Sequence, residues 1–118
     1  MGILNGKRLL ITGVLTDASL AFSIAGLAQE EGAELVLTGA GRGLSLTRRT
    51  ARKLPQEPEV LEFDVTSAED AESLKAHLAD KWDRVDGALH AIAFAPEVCL
   101  GEDFMAAGWD DVAVAMQI

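Results

Sequence analysis

The sequence predicts an α/β fold built on a parallel sheet. Three observations carry this: four short apolar runs recur along the 118 residues, helical patterns lie between them, and the first two runs show no polar alternation. Strands covered by helices on both faces read as continuous Leu, Ile and Val, because neither face meets water. Strands alternating with helices build such a sheet through right-handed crossovers.

Each element has its own signal. "RLLIT" (Arg8–Thr12) is the first strand. Over Ser19–Glu31, Leu20, Ile24, Leu27 and Ala28 fall on one helical stripe, and Gly32 follows where a C-cap needs positive φ. "ELVLT" (Glu34–Thr38) is the second strand. Leu44–Leu54 is a weaker helix, made basic by Arg48, Arg49, Arg52 and Lys53 and stopped by Pro55. "EVLEFD" (Glu59–Asp64) alternates, which suits a strand nearer the sheet edge. Over Ser67–Trp82, Ala71, Leu74, Leu78 and Trp82 form a stripe; Thr66 and Glu69 match a capping box, and Asp70 adds charge favourable to the first turn. "GALHAIAF" (Gly87–Phe94) is the fourth strand. From Gly108 a last helix repeats Trp109, Val112 and Met116 and reaches Ile118 without a cap. That unfinished pattern predicts a truncated chain, residues 1–118 being the N-terminal part of one domain; a short frayed helix is the alternative.

Composition narrows the partners. A formal net charge of −9 repels phosphate backbones and anionic lipid, so neither nucleic acid nor membrane is an expected partner. No apolar run approaches the roughly 18 residues that span a bilayer. The N-terminus lacks the order of a signal peptide. The single cysteine, Cys99, permits no internal disulfide, and a cytoplasmic setting fits it. His77 and His90 have no second ligand at metal spacing, so no metal is expected. The chain contains no tyrosine, so a reaction needing a phenol is not completed by these residues.

In an open parallel sheet, ligands bind beyond the carboxyl ends of the strands. After the first strand comes "TGVLTDASLA". Gly13 allows a tight turn and close approach, and Ser19 stands at a helix start where a hydroxyl and free N–H groups suit a phosphate. Ala21 is small enough to pack on the sheet. This is a dinucleotide turn with its later glycines replaced, and a purely structural turn is the competing reading. After the second strand, "TGAGRG" carries no acid for a ribose; Arg42 is either surface charge or an acceptor of a 2′-phosphate, which leaves NADPH open. After the third, Asp64 either accepts from an adenine amino group or caps the turn. After the fourth, Ala91, Ala93 and Ala95 admit a flat ligand, and Ile92 offers apolar contact.

Together these stretches resemble the NADH-dependent enoyl-acyl-carrier-protein reductases, members of the short-chain dehydrogenase/reductase group. The similarity lies in "LNGKRLLITGVLTDASLAFSIA", "EGAELVLTG", "FDVT", "DGALHAIAFAP" and, more loosely, "GWDDVAVAMQI". The resemblance implies a Rossmann-like parallel sheet with helices on both faces and reduction of the trans-2 double bond of an enoyl thioester on acyl-carrier protein. It implies that Gly13, Ser19 and Leu20 line the NADH pyrophosphate and nearby ribose, that Ala40 sits beside the adenosine, and that Asp64 and Val65 hold the adenine. Ile92 and Ile118 would touch the cofactor, and Ala95 would border the substrate. Larger side chains occur at the Ala40 position in relatives, and glycine at that of Ala93. The resemblance also implies a homotetramer, and a catalytic Tyr with a Lys seven positions later, downstream of Ile118. A non-catalytic nucleotide-binding module and a non-binding interaction domain are the alternative readings.

Overall fold

A computed structural model describes residues 2–118, excepting the side chain of Phe104. Its sheet contains β1 (Arg8–Ile11), β2 (Glu34–Gly39), β3 (Glu59–Glu62) and β4 (Gly87–Leu89), all parallel, in the order β3-β2-β1-β4. Between them run α1 (Leu20–Glu30), α2 (Gly43–Ala51) and α3 (Ala68–Lys81), and α4 (Trp109–Gln117) follows β4. Two short 3-10 turns, Glu97–Cys99 and Phe104–Ala106, lie between β4 and α4. The predicted edge position of the third strand is observed.

Strand alternation sorts the core into two layers. Leu9, Ile11, Leu35, Leu37 and Val60 face α1 and α2, whereas Leu10, Val36 and Leu61 face α3. The first layer includes Ala21, Ala25 and Ala28 of α1 and Ala51 of α2; the second is closed by Leu74, Leu78 and Trp82.

Of the α1 stripe expected from periodicity only Ala28 is buried. Ala21, Ala25 and Ala28 meet the sheet, while Leu20 is 83% and Leu27 61% exposed. Alanines let the helix axis approach the strands, and Leu27 at the contact would force it outward. Ile24 instead borders a surface groove with Leu9, Ile11 and Leu89. The predicted positive φ at Gly32 is present, at 96°.

Two further differences concern element ends. The capping residue of α3 is Ser67, whose Oγ accepts the Asp70 N–H at 3.1 Å. Thr66 is turned away to bond Asp64, so the expected Thr66–Glu69 box does not form. The fourth strand stops at Leu89, well short of Phe94. β1 turns away at Gly13, and the Thr12 side chain continues the pairing: its hydroxyl donates to Leu89 O at 3.1 Å and accepts the Ala91 N–H at 2.9 Å.

Helix α4 buries none of its residues, with Trp109 72% and Met116 77% exposed. Its start is held by the Asp111 carboxylate, which accepts the Gly108 N–H at 3.1 Å. His90, expected at the edge of the core, is exposed, its Nε2 lying 3.1 Å from Ile118 O.

Glu59 ties β3 to α3. Its Oε1 lies 2.9 Å from His77 Nε2 and 3.6 Å from Lys81 Nζ. The His77 hydrogen bond, aided by the charges of His77 and Lys81 and opposed by desolvation, lowers the carboxyl below its ordinary value of 4.5. A depressed folded-state pKa contributes stability above the unfolded value, which is lost as pH falls through the folded one. Glu59→Gln is therefore expected to lower the urea midpoint near pH 7, with the deficit vanishing as pH drops through about 4 and below. A deficit that persists unchanged at about pH 3 would assign the effect to packing.

Candidate nucleotide site at the strand ends

The carboxyl ends of β1, β2, β3 and β4 surround a cavity of about 370 Å³. Its walls include Gly13, Thr38, Gly39, Ala40, Phe63 and Ile92, with Ala91 and Ala93 on the β4 side. A second cavity of about 400 Å³ lies along α3, between Phe63, Leu74, Leu78 and Trp82. That groove runs along the apolar face of α3, with Lys75, Asp83 and Arg84 also in its lining. The strand-end cavity combines bare backbone, small side chains and polar groups at the switch point between β1 and β4, where open α/β sheets bind ligands.

Gly13 sets the geometry. Its φ is 82°, and a Cβ there would lie 2.1 Å from Ala91 O. The tight turn expected at Gly13 is present, but the close approach seen is to the backbone of the β4 continuation at Ala91. Beyond it, Ser19 Oγ accepts the N–H groups of Leu15 at 3.2 Å and Thr16 at 3.1 Å. The hydroxyl thus braces the turn rather than capping α1, and its own hydrogen remains for a ligand. Among the described residues, the N–H groups of Leu20 and Ala21 take no acceptor, and the first turn of α1 holds no acid. A helix start of this kind favours an anion. The one acid in the turn, Asp17, is exposed and paired with Lys53 Nζ at 3.0 Å. Thr50 Oγ1 donates to Leu15 O at 2.8 Å and fastens the turn to α2.

The β3 end is equally constrained. Asp64 Oδ1 accepts from Thr66 N–H at 2.9 Å and Thr66 Oγ1 at 2.6 Å, while the Asp64 N–H donates to Asp70 Oδ2 at 2.9 Å. The Thr66 hydroxyl, then the Thr66 N–H, hold the Asp64 carboxyl below its usual range, so it is an acceptor at neutral pH. Among the described residues no donor reaches Oδ2. The cap and the ligand acceptor, alternatives in the sequence reading, are thus compatible: one oxygen serves each.

Of the residues expected to bind, Gly13, Ala40 and Ile92 line the cavity. Ser19 and Leu20 are outside the lining, at the start of α1 beyond the Gly13 turn, and Asp64 and Val65 directly follow the lining residue Phe63. Ala95 lies beyond the lining, partly buried in the loop after β4. Sequence reasoning missed Leu15, Thr38, Gly43, Thr47 and Phe63. Thr38 is the most informative: it is 3% exposed, and its Oγ1 has no hydrogen-bond partner. An orphaned hydroxyl at a cavity wall marks where a ligand or water completes the bonding. A polar residue closing an otherwise apolar strand was its only signal in the sequence.

The family model for Enoyl-(Acyl carrier protein) reductase matches residues 13–118. The chain belongs to that family. The enoyl-acyl-carrier-protein reductase (NADH) of Mycolicibacterium smegmatis is 42% identical over 121 residues, a match that covers 99% of this chain and 45% of the relative. The corresponding reductases of Neisseria meningitidis and Escherichia coli are 40% and 37% identical, each match covering 89% of this chain and 40% of the relative. The chain thus spans less than half the length of these relatives. Among the described residues no helix is long and apolar enough to cross a membrane.

Proposed function

We propose that this chain forms the cofactor-binding part of an NADH-dependent enoyl-acyl-carrier-protein reductase. The observation that carries the reading is the strand-end cavity: Gly13, where a backbone contact excludes any side chain, and the orphaned Thr38 hydroxyl line it, and the turn that begins at Gly13 leads to the unclaimed N–H groups at the start of α1. The reductase names of the relatives support the reaction, and their greater length accommodates the Tyr and Lys that the resemblance implies. A homotetramer, the acyl-carrier-protein substrate and a cytoplasmic setting belong to the same reading.

The residues present fit a dinucleotide. Leu20 and Ala21 N–H, with the Ser19 hydroxyl, would receive the pyrophosphate. Ala40 and Phe63 would bracket the adenosine, and Asp64 Oδ2 with the Val65 backbone would take the adenine edge. Ile92, Ala91 and Ala93 would keep a dry, flat wall toward the nicotinamide end. When bound, NADH supplies a hydride to the β-carbon of the enoyl thioester, and a proton completes the reduction. The part played by these 118 residues is to orient the cofactor and exclude water, not to move that proton.

The test is an NADH titration of the 118-residue chain followed by amide resonances. Shifts are expected at Gly13, Ala40, Val65 and Ile92. The affinity is expected to be weaker than micromolar, because the implied ribose-anchoring Lys lies downstream of Ile118. Shifts confined to the α3 groove, or none at millimolar NADH, would overturn the reading.

A further inference from the structure

We infer that the outward face of α2 is a docking surface for an acidic amphipathic helix of another protein. The inference is independent of the nucleotide reading, because α2 turns its other side to the body and the strand-end cavity.

The first observation is charge segregation. The formal net charge is −9, yet Arg42, Arg48, Arg49, Arg52 and Lys53, half of the 10 Lys and Arg residues, fall within α2 or directly beside it. No acid occurs from Leu35 to Gln56. Among the described residues, Arg42, Arg48 and Arg49 have no ion pair. Arg52 meets Glu57 at 3.6 Å and Lys53 meets Asp17 at 3.0 Å, both in exposed pairs of the kind that holds weakly. Like charges three and four residues apart on a helix repel, and opposite charge from outside relieves that repulsion.

The second is the arrangement of the face. Thr47, Thr50 and Ala51 are buried, and Gly43 and Thr47 line the strand-end cavity. On the other side Arg42, Leu46, Arg49 and Lys53 follow one another at spacings of four, three and four, all exposed. That is the spacing along which one helix packs on another. Leu46, 41% exposed, stands in the middle of the row. An apolar centre rimmed by charge has the anatomy of a protein contact. A partner helix of the same period sets acids against Arg42, Arg49 and Lys53 and an apolar side chain against Leu46. A lone leucine gives a lipid surface too little apolar area to hold, and the net charge repels anionic lipid.

The third is the groove beside the row. Arg48 and Arg52 border a cavity of about 510 Å³ between α2 and the start of β3, with Pro58 and Val60 on its far side. Its carboxylates are already engaged, Glu57 by Arg52 and Glu59 by His77 and Lys81. Arg48 is thus the cation of the groove that a partner's acid can take.

The probe is a labelled alanine-based helical peptide that carries glutamates around leucines on one face, titrated against the 118-residue chain by fluorescence anisotropy. A peptide of the same composition, with these residues spread around the helix, is expected to bind about 5- to 10-fold more weakly. Arg49→Glu should weaken the one-faced peptide about 10-fold, and Leu46→Ser about 3- to 10-fold. Lys75→Glu, the same charge change on α3, should leave its affinity unchanged. Binding should weaken as salt rises, and amide shifts should centre on residues 42–53. Equal binding of the two peptides, affinity that survives Arg49→Glu, or no binding at millimolar peptide would overturn the inference. So would binding to phosphatidylglycerol vesicles without binding to the peptide, which would assign the face to lipid.

Discussion

Gly13→Ala is expected to lose about 3 kcal/mol of stability and to abolish nucleotide binding. A positive φ alone costs a residue with a Cβ roughly 1–2 kcal/mol. At Gly13 the larger effect is steric, since the added carbon would lie 2.1 Å from the Ala91 carbonyl oxygen. Relief requires the strand continuation to retreat, which breaks the Ala91 N–H bond to Thr12 Oγ1 and opens the cavity wall. Gly6 provides the control. Its φ is 78°, yet nothing lies within 4 Å of its Cβ position. Gly6→Ala should therefore cost only the backbone part, about 1–2 kcal/mol, and leave binding intact. Thermal melts of the two variants check this. Equal losses would show that the contact with Ala91 is easily relaxed.

Trp82→Ala is expected to cost about 3–5 kcal/mol. Among the described residues the layer beneath α3 has only Val36, Leu74, Leu78 and Trp82 as its buried members, so the indole is a large share of what holds the helix. Its Nε1 also donates to Glu34 Oε1 at 2.9 Å, joining the end of α3 to the start of β2. Trp82→Phe should retain most of the packing and lose about 1 kcal/mol with that bond. The effect reaches the site through Asp70, whose carboxylate takes the Asp64 N–H. Hydrogen exchange at Asp64 is expected to accelerate in Trp82→Ala much more than in Trp82→Phe. Unchanged protection would separate the Asp64 turn from the packing of α3.

The strands were legible because burial on both faces leaves a run of branched apolar residues that few other structures require. The rule that ligands bind at strand ends pointed to Gly13 and Ile92, the resemblance added Ala40, and all three line one cavity. Sequence reasoning failed where size, not polarity, decides. Periodicity treats Leu20, Ile24, Leu27 and Ala28 as the core face of α1, but the helix sits on Ala21, Ala25 and Ala28, sharing only the last with that stripe. It also failed where a side chain substitutes for backbone: the end of β4 depends on Thr12 Oγ1, which no local pattern along residues 87–94 reveals. Thr38 was hidden for a related reason. Its role comes from a bond it lacks, and only the packed neighbours show that it is lacking.

The sheet order has a consequence for how the cavity comes into being. Leu9 pairs with Leu35 on one side and with Gly87 on the other, and Thr12 meets Ala91 across 79 positions of chain. Closing so long a loop costs more entropy than the successive local crossovers that join β1 to β2 and β2 to β3. The Gly13 and Thr38 side of the cavity therefore belongs to the early-forming, locally connected half of the chain, and the Ala91–Ala93 wall to the part that arrives last. A dinucleotide spanning both would act as a clasp on the slowest step of assembly, so that cofactor supply and completion of the fold become one equilibrium.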